Sequence, residues 1–264
     1  EYRALLAGAM HYYIKSTGNL SQSLDVLVLG LPVSSFAAKR HALKALGGRV
    51  HRVPLPRALA ERVGRDTLDV MARKVLVVPQ PYGGLRFALS PAFSGDQALF
   101  DDDGVVNVVI DPGFNTFDWF VAKGMDPQFE LGGSFAGGVS QIIREVAHTA
   151  GMRLGIGDLN FVAAERALQG GVLHHGGHRI DFSPYRVVAQ AAVQRVVDEF
   201  LAAFNFQQVG VGRVILAGGG AAHYLEPLRR RLPGFDIQLT PDSVMANAKG
   251  YWLLADGLVQ ARPA

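Results

Sequence analysis

Cysteine is absent from the chain, so neither a disulfide framework nor a thiolate metal site is available, and a reducing compartment is compatible with that composition. No apolar run is long enough to span a bilayer, and the N-terminus lacks the basic-then-apolar layout of a secretion signal. Charge of one sign is also scarce. Twenty-six Lys and Arg against 23 Asp and Glu leave +3 over 264 residues, with Arg far outnumbering Lys. That is a nearly balanced surface and not a nucleic-acid-binding composition. No G-x-S-x-G elbow surrounds Ser34-Ser35, which removes support for serine hydrolysis. What is present is 49% apolar content with 31 Gly and 13 Pro, material for one large α/β domain or two smaller ones rich in tight turns.

Periodicity supplies the elements. Tyr2–Ser16 carries Leu5, Leu6, Met10 and Tyr13 at helical spacing. Asp25–Val33 is a continuous apolar strand, Ser35–Leu46 a helix closed by Gly47-Gly48, and Arg49–Val53 an edge strand. Thr67–Arg73 fits a strand or a short helix equally well. Lys74–Val78 is a buried strand ending in the flexible turn Pro79–Gly84, and Leu85–Phe100 is helical in part, interrupted by Pro91 and Gly95. Phe117–Ala122 and Gln128–Leu131 read as successive strands, followed by a helix through His148 with Ser134 as its N-cap. A second helix covers Asp158–Leu168. Tyr185–Phe206 is a long helix, Ala221–Leu232 another, Phe235–Leu239 a last strand and Pro241–Leu254 a terminal helix. The tail Gln260–Ala264 is expected to fray. Trp119 and Trp252 read as core or lobe-contact residues. The expected sheets are Asp25–Val33 with Lys74–Val78 and Val105–Ile110, and Phe117–Ala122 with Arg213–Leu216.

Two stretches carry chemistry. Val105–Asp118, VVNVVIDPGFNTFD, is a buried strand running straight into polar and turn residues. It holds Asp111 at the mouth of a sheet, where a carboxylate can order the water shell of Mg²⁺ beside a phosphate chain. Gly113 lets the backbone approach an oxyanion, and Asn115 and Thr116 add donors. The plain alternative is an ordinary hairpin turn with an Asx cap. The second stretch is VILAGGG at Val214–Gly220, a strand, glycine turn and helix start that together make an anion cradle; close packing of helix on strand is its plain alternative. His174, His175 and His178 lie in a glycine-rich loop. Adjacent histidines point apart in an extended segment, which argues against a zinc site. Arg229-Arg230-Arg231 matches the negative end of a helix dipole.

Four landmarks, in order, resemble the actin-like ATPases, most of all the plasmid-segregation ParM/StbA branch. They are LGLPVSSF at Leu29–Phe36, VVPQP at Val77–Pro81, VVIDPGFNTFDWFVAKG at Val108–Gly124, and VILAGGGAAHYLEPLRRRLPG followed by PDSVMANAKGYW. The resemblance covers essentially the whole chain. It implies an α/β actin-like (ribonuclease H-like) ATPase fold of two lobes: a first lobe over 1–110, a second over 111–240, and a C-terminal helix, 241–264, returning toward the first. A full family member opens with a strand hairpin bearing a first phosphate loop, and no such acidic, glycine-rich motif precedes Asp25. The chain also begins at Glu1 without Met, directly in a helical pattern. An N-terminally incomplete lobe that holds a triphosphate weakly is therefore the expectation.

The resemblance also implies roles. Asp111 would hold Mg²⁺ through water. Gly113, Asn115 and Thr116 would contact the β- and γ-phosphates of ATP, with Asp118 closing the motif. Gly218, Gly219 and Gly220 would lie along the ribose and α-phosphate, Glu165 at the ribose or adenine, and Gln80 would orient the attacking water. Phe114 departs from the pattern, standing where a small residue is usual, and Pro112 replaces an apolar one. The implied function is a cytoplasmic, nucleotide-dependent filament-forming ATPase in plasmid or DNA segregation. It would self-associate and bind an adaptor protein seated on centromere-like DNA, without touching nucleic acid or membrane itself. Two other readings stay open: an actin-like scaffold or binding module with lost ATPase activity, and a small-molecule kinase built on the same lobes.

Overall fold

The computed structural model describes residues 2–91, 104–157 and 159–261. The chain forms two compact units. One comprises Glu1–Leu31, Ser35–Gln80 and Tyr251–Ala264, the other Pro32–Ser34 and Pro81–Gly250. The lobe boundary expected from the sequence is at 110. Among the described residues no helix is long and apolar enough to cross a membrane.

The first unit is a three-stranded sheet with helices. Helix α1 (Tyr2–Thr17) buries Leu6, Met10 and Ile14, a stripe at every fourth residue. Leu5 and Tyr13, expected inside, are exposed, because the stripe that meets the sheet runs one position over. After α1 come β1 (Ser23–Leu31), α2 (Val33–Gly47), β2 (His51–Pro54), α3 (Arg57–Val63) and β3 (Thr67–Pro79). Thr67–Arg73 is the first half of this 13-residue strand. There, Leu68, Val70 and Ala72 are buried and their neighbours exposed, the period of a strand with one wet face. Thr67–Val70 pairs antiparallel with β2, and the strand from Met71 onward pairs parallel with β1. Met10 and Ile14 close a core with Val53, Leu55, Leu68 and Val70.

From Gln80 the order is α4 (Gln80–Ala88), β4 (Val106–Pro112), β5 (Phe117–Lys123), β6 (Asp126–Pro127), β7 (Gly133–Phe135), α5 (Val139–Leu154) and α6 (Phe161–Gly170). There follow β8 (Val172–His175), β9 (His178–Asp181), α7 (Arg186–Ala203), α8 (Phe206–Val209), β10 (Arg213–Leu216), α9 (Ala221–Arg231), β11 (Ile237–Leu239) and α10 (Ala246–Gln260). The second unit's main sheet runs β11-β10-β4-β5-β6, with β7 also on β5. Strand β4 thus lies between β10, parallel, and β5, antiparallel. The expectation that Val105–Ile110 shares a sheet with β1 and β3 is corrected. A fully apolar strand records that both its faces are covered but not which strands flank it. Phe117, Trp119 and Phe200 interlock at centroid spacings of 5.3 and 5.4 Å in a core with Val193, Val197 and Tyr224. A second core under α5 and α6 contains Ile143, Val146, Ala164 and Phe182.

Other local expectations are revised. Gln128–Leu131 is mostly a 3₁₀ turn, closed when Leu131 N–H donates to the Gln128 carbonyl at 3.1 Å. Ser134 lies in β7, and α5 is capped by Gly138 instead. The terminal helix begins at Ala246, after a turn that includes Asp242 at φ 50°. Trp252 is exposed. The parts of the expected helices and tail at 92–100, Asp158 and 262–264 lie outside the described residues.

The largest revision is Gly83-Gly84, expected as a flexible turn and found inside α4. The glycines are there for proximity. A Cβ on Gly250 of α10 would overlap the Gly83 carbonyl, and one on Gly84 would stand 3.1 Å from the Ala217 methyl. Helix α10 can approach α4 this closely only without side chains at the crossing. Gly250→Ala is therefore expected to cost about 2 kcal/mol or more in urea unfolding, the scale of overpacking a tight core. Gly170→Ala, where a Cβ meets nothing within 4 Å, serves as the control and should be neutral or slightly stabilising. Equal effects would show that the α4–α10 crossing is not tight.

Candidate functional site

Strands β4 and β5 are joined by Gly113, Phe114, Asn115 and Thr116, the loop closing where Gly113 N–H donates to the Thr116 carbonyl at 2.8 Å. Helix α5 has no side-chain cap. Its opening N–H groups are satisfied by this loop instead: Gly138, Val139 and Ser140 donate to the carbonyls of Asn115, Gly113 and Phe114 at 3.3, 3.0 and 2.8 Å. Gly138 is needed for that approach, since its Cβ would stand 2.5 Å from the Phe114 carbonyl group.

Asp111, near the end of β4, is only 4% exposed. The glycine turn after β10 wraps it. Ala217 N–H donates to the Ile110 carbonyl at 2.9 Å and Gly220 N–H to that of Pro112 at 2.8 Å, which carries the strand ladder into the turn. Gly218 adopts φ +87°, and a Cβ there would fall on Asp111 Oδ1. Glycine is thus demanded twice, by conformation and by space. Asn247 Nδ2 donates to Asp111 Oδ2 at 2.7 Å, while its Oδ1 accepts Gly84 N–H at 2.9 Å. Burial pushes the Asp111 carboxyl up to about 6, against the Asn247 hydrogen bond and with a small contribution from the Asp118 carboxylate. Asp118 is 2% exposed. It accepts the Thr116 hydroxyl at 2.7 Å and Val33 N–H at 3.2 Å, and burial pushes its carboxyl above the usual range too.

A cavity of about 500 Å³ opens between α5, α6, α7 and α9. Val139, Ile142 and Val193 form apolar wall, and Glu165, Gln169 and Arg186 supply polar groups. Val139 also touches the glycine turn: a Cβ on Gly220 would come within 2.8 Å of its Cγ2. Cavity and turn therefore share a residue.

The structure brings together Asp111, Gly218 and Gly220, places Gly113, Asn115, Thr116 and Asp118 on the adjoining hairpin, and sets Glu165 in the cavity. Gly219 is exposed, with nothing within 4 Å of a Cβ. The Thr116 hydroxyl is directed to Asp118, and the Asn115 side-chain oxygen accepts from Ser140 at 3.1 Å. Gln80 belongs to the first unit, where its carbonyl accepts the Tyr251 hydroxyl at 3.2 Å. His175 and His178 pair across the exposed β8–β9 hairpin. Among the described residues no group of three His, Asp or Glu is placed to hold a metal ion. Asn247 is not among the site residues expected from the sequence. It lies within PDSVMANAKGYW, and an Asn one helical turn before a glycine in an apolar helix was the available signal.

A family model described as the C-terminal part of archaeal MreB-like actin homologues matches residues 109–230. No curated protein matches the chain. Among solved structures, the archaeal actin homologue Ta0583 superposes with a TM-score of 0.76 at 20% identity, over 98% of this chain and 76% of that one. Its complex with ADP gives 0.73 at 19%, over 96% and 77%. A non-polymerisable quadruple mutant of pCBH ParM gives 0.74 at 18%, over 97% and 75%. A 15-stranded ParM filament from Clostridium botulinum gives 0.67 at 18%, over 87% and 66%. The chain has the two-lobe, actin-like α/β fold of these proteins.

The buried Asp111 makes stability depend on pH. Its folded-state carboxyl holds a proton more tightly than the unfolded one, so Asp111's contribution to stability is fully present below about pH 4 and is lost as pH rises through about 6. The full excursion is on the order of 3 kcal/mol. Asp111→Asn keeps an acceptor for Asn247 and removes the charge. It should match the native protein near pH 4 and melt at higher temperature at pH 7.5. Scanning calorimetry at both pH values checks this, and equal melting temperatures at pH 7.5 would contradict it.

Proposed function

We propose that the second unit binds a purine nucleotide with Mg²⁺ and that the protein is a nucleotide-dependent, self-assembling actin-like ATPase. One observation carries the reading: a buried carboxylate, an open-sided glycine turn and a 500 Å³ cavity bearing Glu165 adjoin within a single unit. The groups fit such a ligand. A carboxylate raised to about 6 by burial has its negative charge stabilised by a hydrated divalent cation. Gly219, with open space where a side chain would be, lets backbone come against phosphate at the start of α9. The likeness to an actin homologue solved with ADP supports the same ligand class.

In this reading Glu165 accepts from ribose or base within the cavity, Gly218–Gly220 follow the sugar and α-phosphate, and Gly113, Asn115 and Thr116 face the outer phosphates. Asp118 fixes the loop by holding Thr116. Asp111, oriented by Asn247, orders water around Mg²⁺, which when bound neutralises phosphate charge. Nucleotide state then governs assembly into filaments, with an adaptor on centromere-like DNA as the segregation partner. A second reading, an assembling scaffold without turnover, is favoured by one observation. The Thr116 hydroxyl is already engaged by Asp118 of β5 and the Asn115 side-chain oxygen by Ser140 of α5.

Calorimetric titration of ADP and ATP, with and without Mg²⁺, tests the binding. Single-site heat is expected, strengthened by Mg²⁺. Glu165→Ala should weaken both nucleotides roughly tenfold or more, the loss of a hydrogen bond to a charged group at about 1.5–3 kcal/mol. Asp111→Asn should erase the Mg²⁺ dependence while leaving the metal-free affinity in place. Absence of heat with either nucleotide would end the proposal. Phosphate release and light scattering on the same samples separate turnover from assembly alone.

A further inference from the structure

Phe114 stands at the tip of the β4–β5 hairpin with 56% of its surface exposed. Its ring meets Phe161 edge-on, at a centroid distance of 5.8 Å and 72° between planes. Each ring is anchored in its own element. The Phe114 backbone is pinned by the Ser140 N–H on its carbonyl and by the close pass of Gly138. Phe161 opens α6, whose first turn is capped by the Asn160 side chain accepting from Val162 and Ala163 N–H at 2.9 and 3.4 Å. Phe161 also packs on the core containing Val146, Ala164 and Phe182. One helical turn separates Phe161 from Glu165, so the two side chains share a face of α6.

We infer that the Phe114–Phe161 pair is a brace that sets the spacing between the β4–β5 hairpin and the helix carrying Glu165, which makes both rings positioning residues for the nucleotide. The inference rests on the nucleotide reading above. A ligand in that site meets the hairpin with its phosphates and Glu165 with its sugar or base, and the ring contact holds these two ends in register before it arrives. Edge-to-face rings at this distance attract through their quadrupoles. A ring as exposed as Phe114 adds little to global stability, so its removal changes spacing more than folding.

The test is a double-mutant cycle on the whole chain, comprising the native protein, Phe114→Ala, Phe161→Ala, the double variant and Phe114→Tyr. Two readouts are used, Mg-ADP titration and hydrogen exchange of the hairpin amides without nucleotide. Each alanine variant should weaken Mg-ADP about three- to tenfold, the double variant no more than either alone, and Phe114→Tyr should bind as the native protein does. Phe161→Ala should speed exchange of the Gly113 amide, which is bonded within the loop and not to α6. Multiplicative losses, or hairpin exchange unchanged by Phe161→Ala, would overturn the brace. If Phe161→Ala fails to fold, Phe161→Leu replaces it in both readouts. Should the native protein bind no nucleotide, the functional reading fails while the exchange measurement still decides the brace.

Discussion

Burial of the Asp111 carboxylate is the constraint on which much of the second unit depends. A charge 4% exposed cannot be left without partners, because its desolvation competes with the stability of the whole domain. The partner is Asn247, and Asn247 reaches Asp111 only because α10 crosses α4 without side chains at the contact. Gly250 against Gly83, Gly84 against Ala217, and the amide of Gly84 on Asn247 are parts of one arrangement. On the other side Gly218 takes a left-handed conformation and leaves its side-chain volume to Asp111 Oδ1. Four glycines are thus spread over about 170 residues of chain around one carboxylate.

The hairpin beside it solves a second problem of unpaired polar groups. A helix start without a Ser, Thr, Asp or Asn cap leaves N–H groups that need acceptors. Helix α5 finds them in the carbonyls of Gly113, Phe114 and Asn115. The same bonds hold the loop in one conformation, so the loop and the helix that walls the cavity are placed together. Asp118 adds a link by accepting from Thr116 in the loop and from Val33 at the start of α2. In the nucleotide reading this is preorganisation, since groups aimed at phosphate are held by bonds formed without ligand.

Local pattern made a good part of this legible. The apolar strands at β1, β4 and β10, the long helix α7 and the glycine turn at Gly218–Gly220 follow from runs and periods that depend on near neighbours in sequence. The misreadings have a common physical cause. Gly83-Gly84 and Ser134 have local preferences for turn and cap, and tertiary contacts overrode both: a helix crossing in one case, a third strand laid on β5 in the other.

Buried strands alternating with helices, the lack of thiol chemistry, and the position of Asp111 and Gly218–Gly220 at strand ends can all be read along the linear chain. These are consequences of side-chain type and of spacing within one element. Three-dimensional packing is what sets β4 between β10 and β5, gives Asp111 Asn247 rather than a charged residue as partner, and turns Phe114 toward Phe161. Each depends on groups separated by at least 47 positions or on a choice among strands with equivalent apolar faces. Hydrophobic pattern is blind to such choices, because every candidate partner buries its surface equally well. Close packing and the need to satisfy each buried polar group are what select among them.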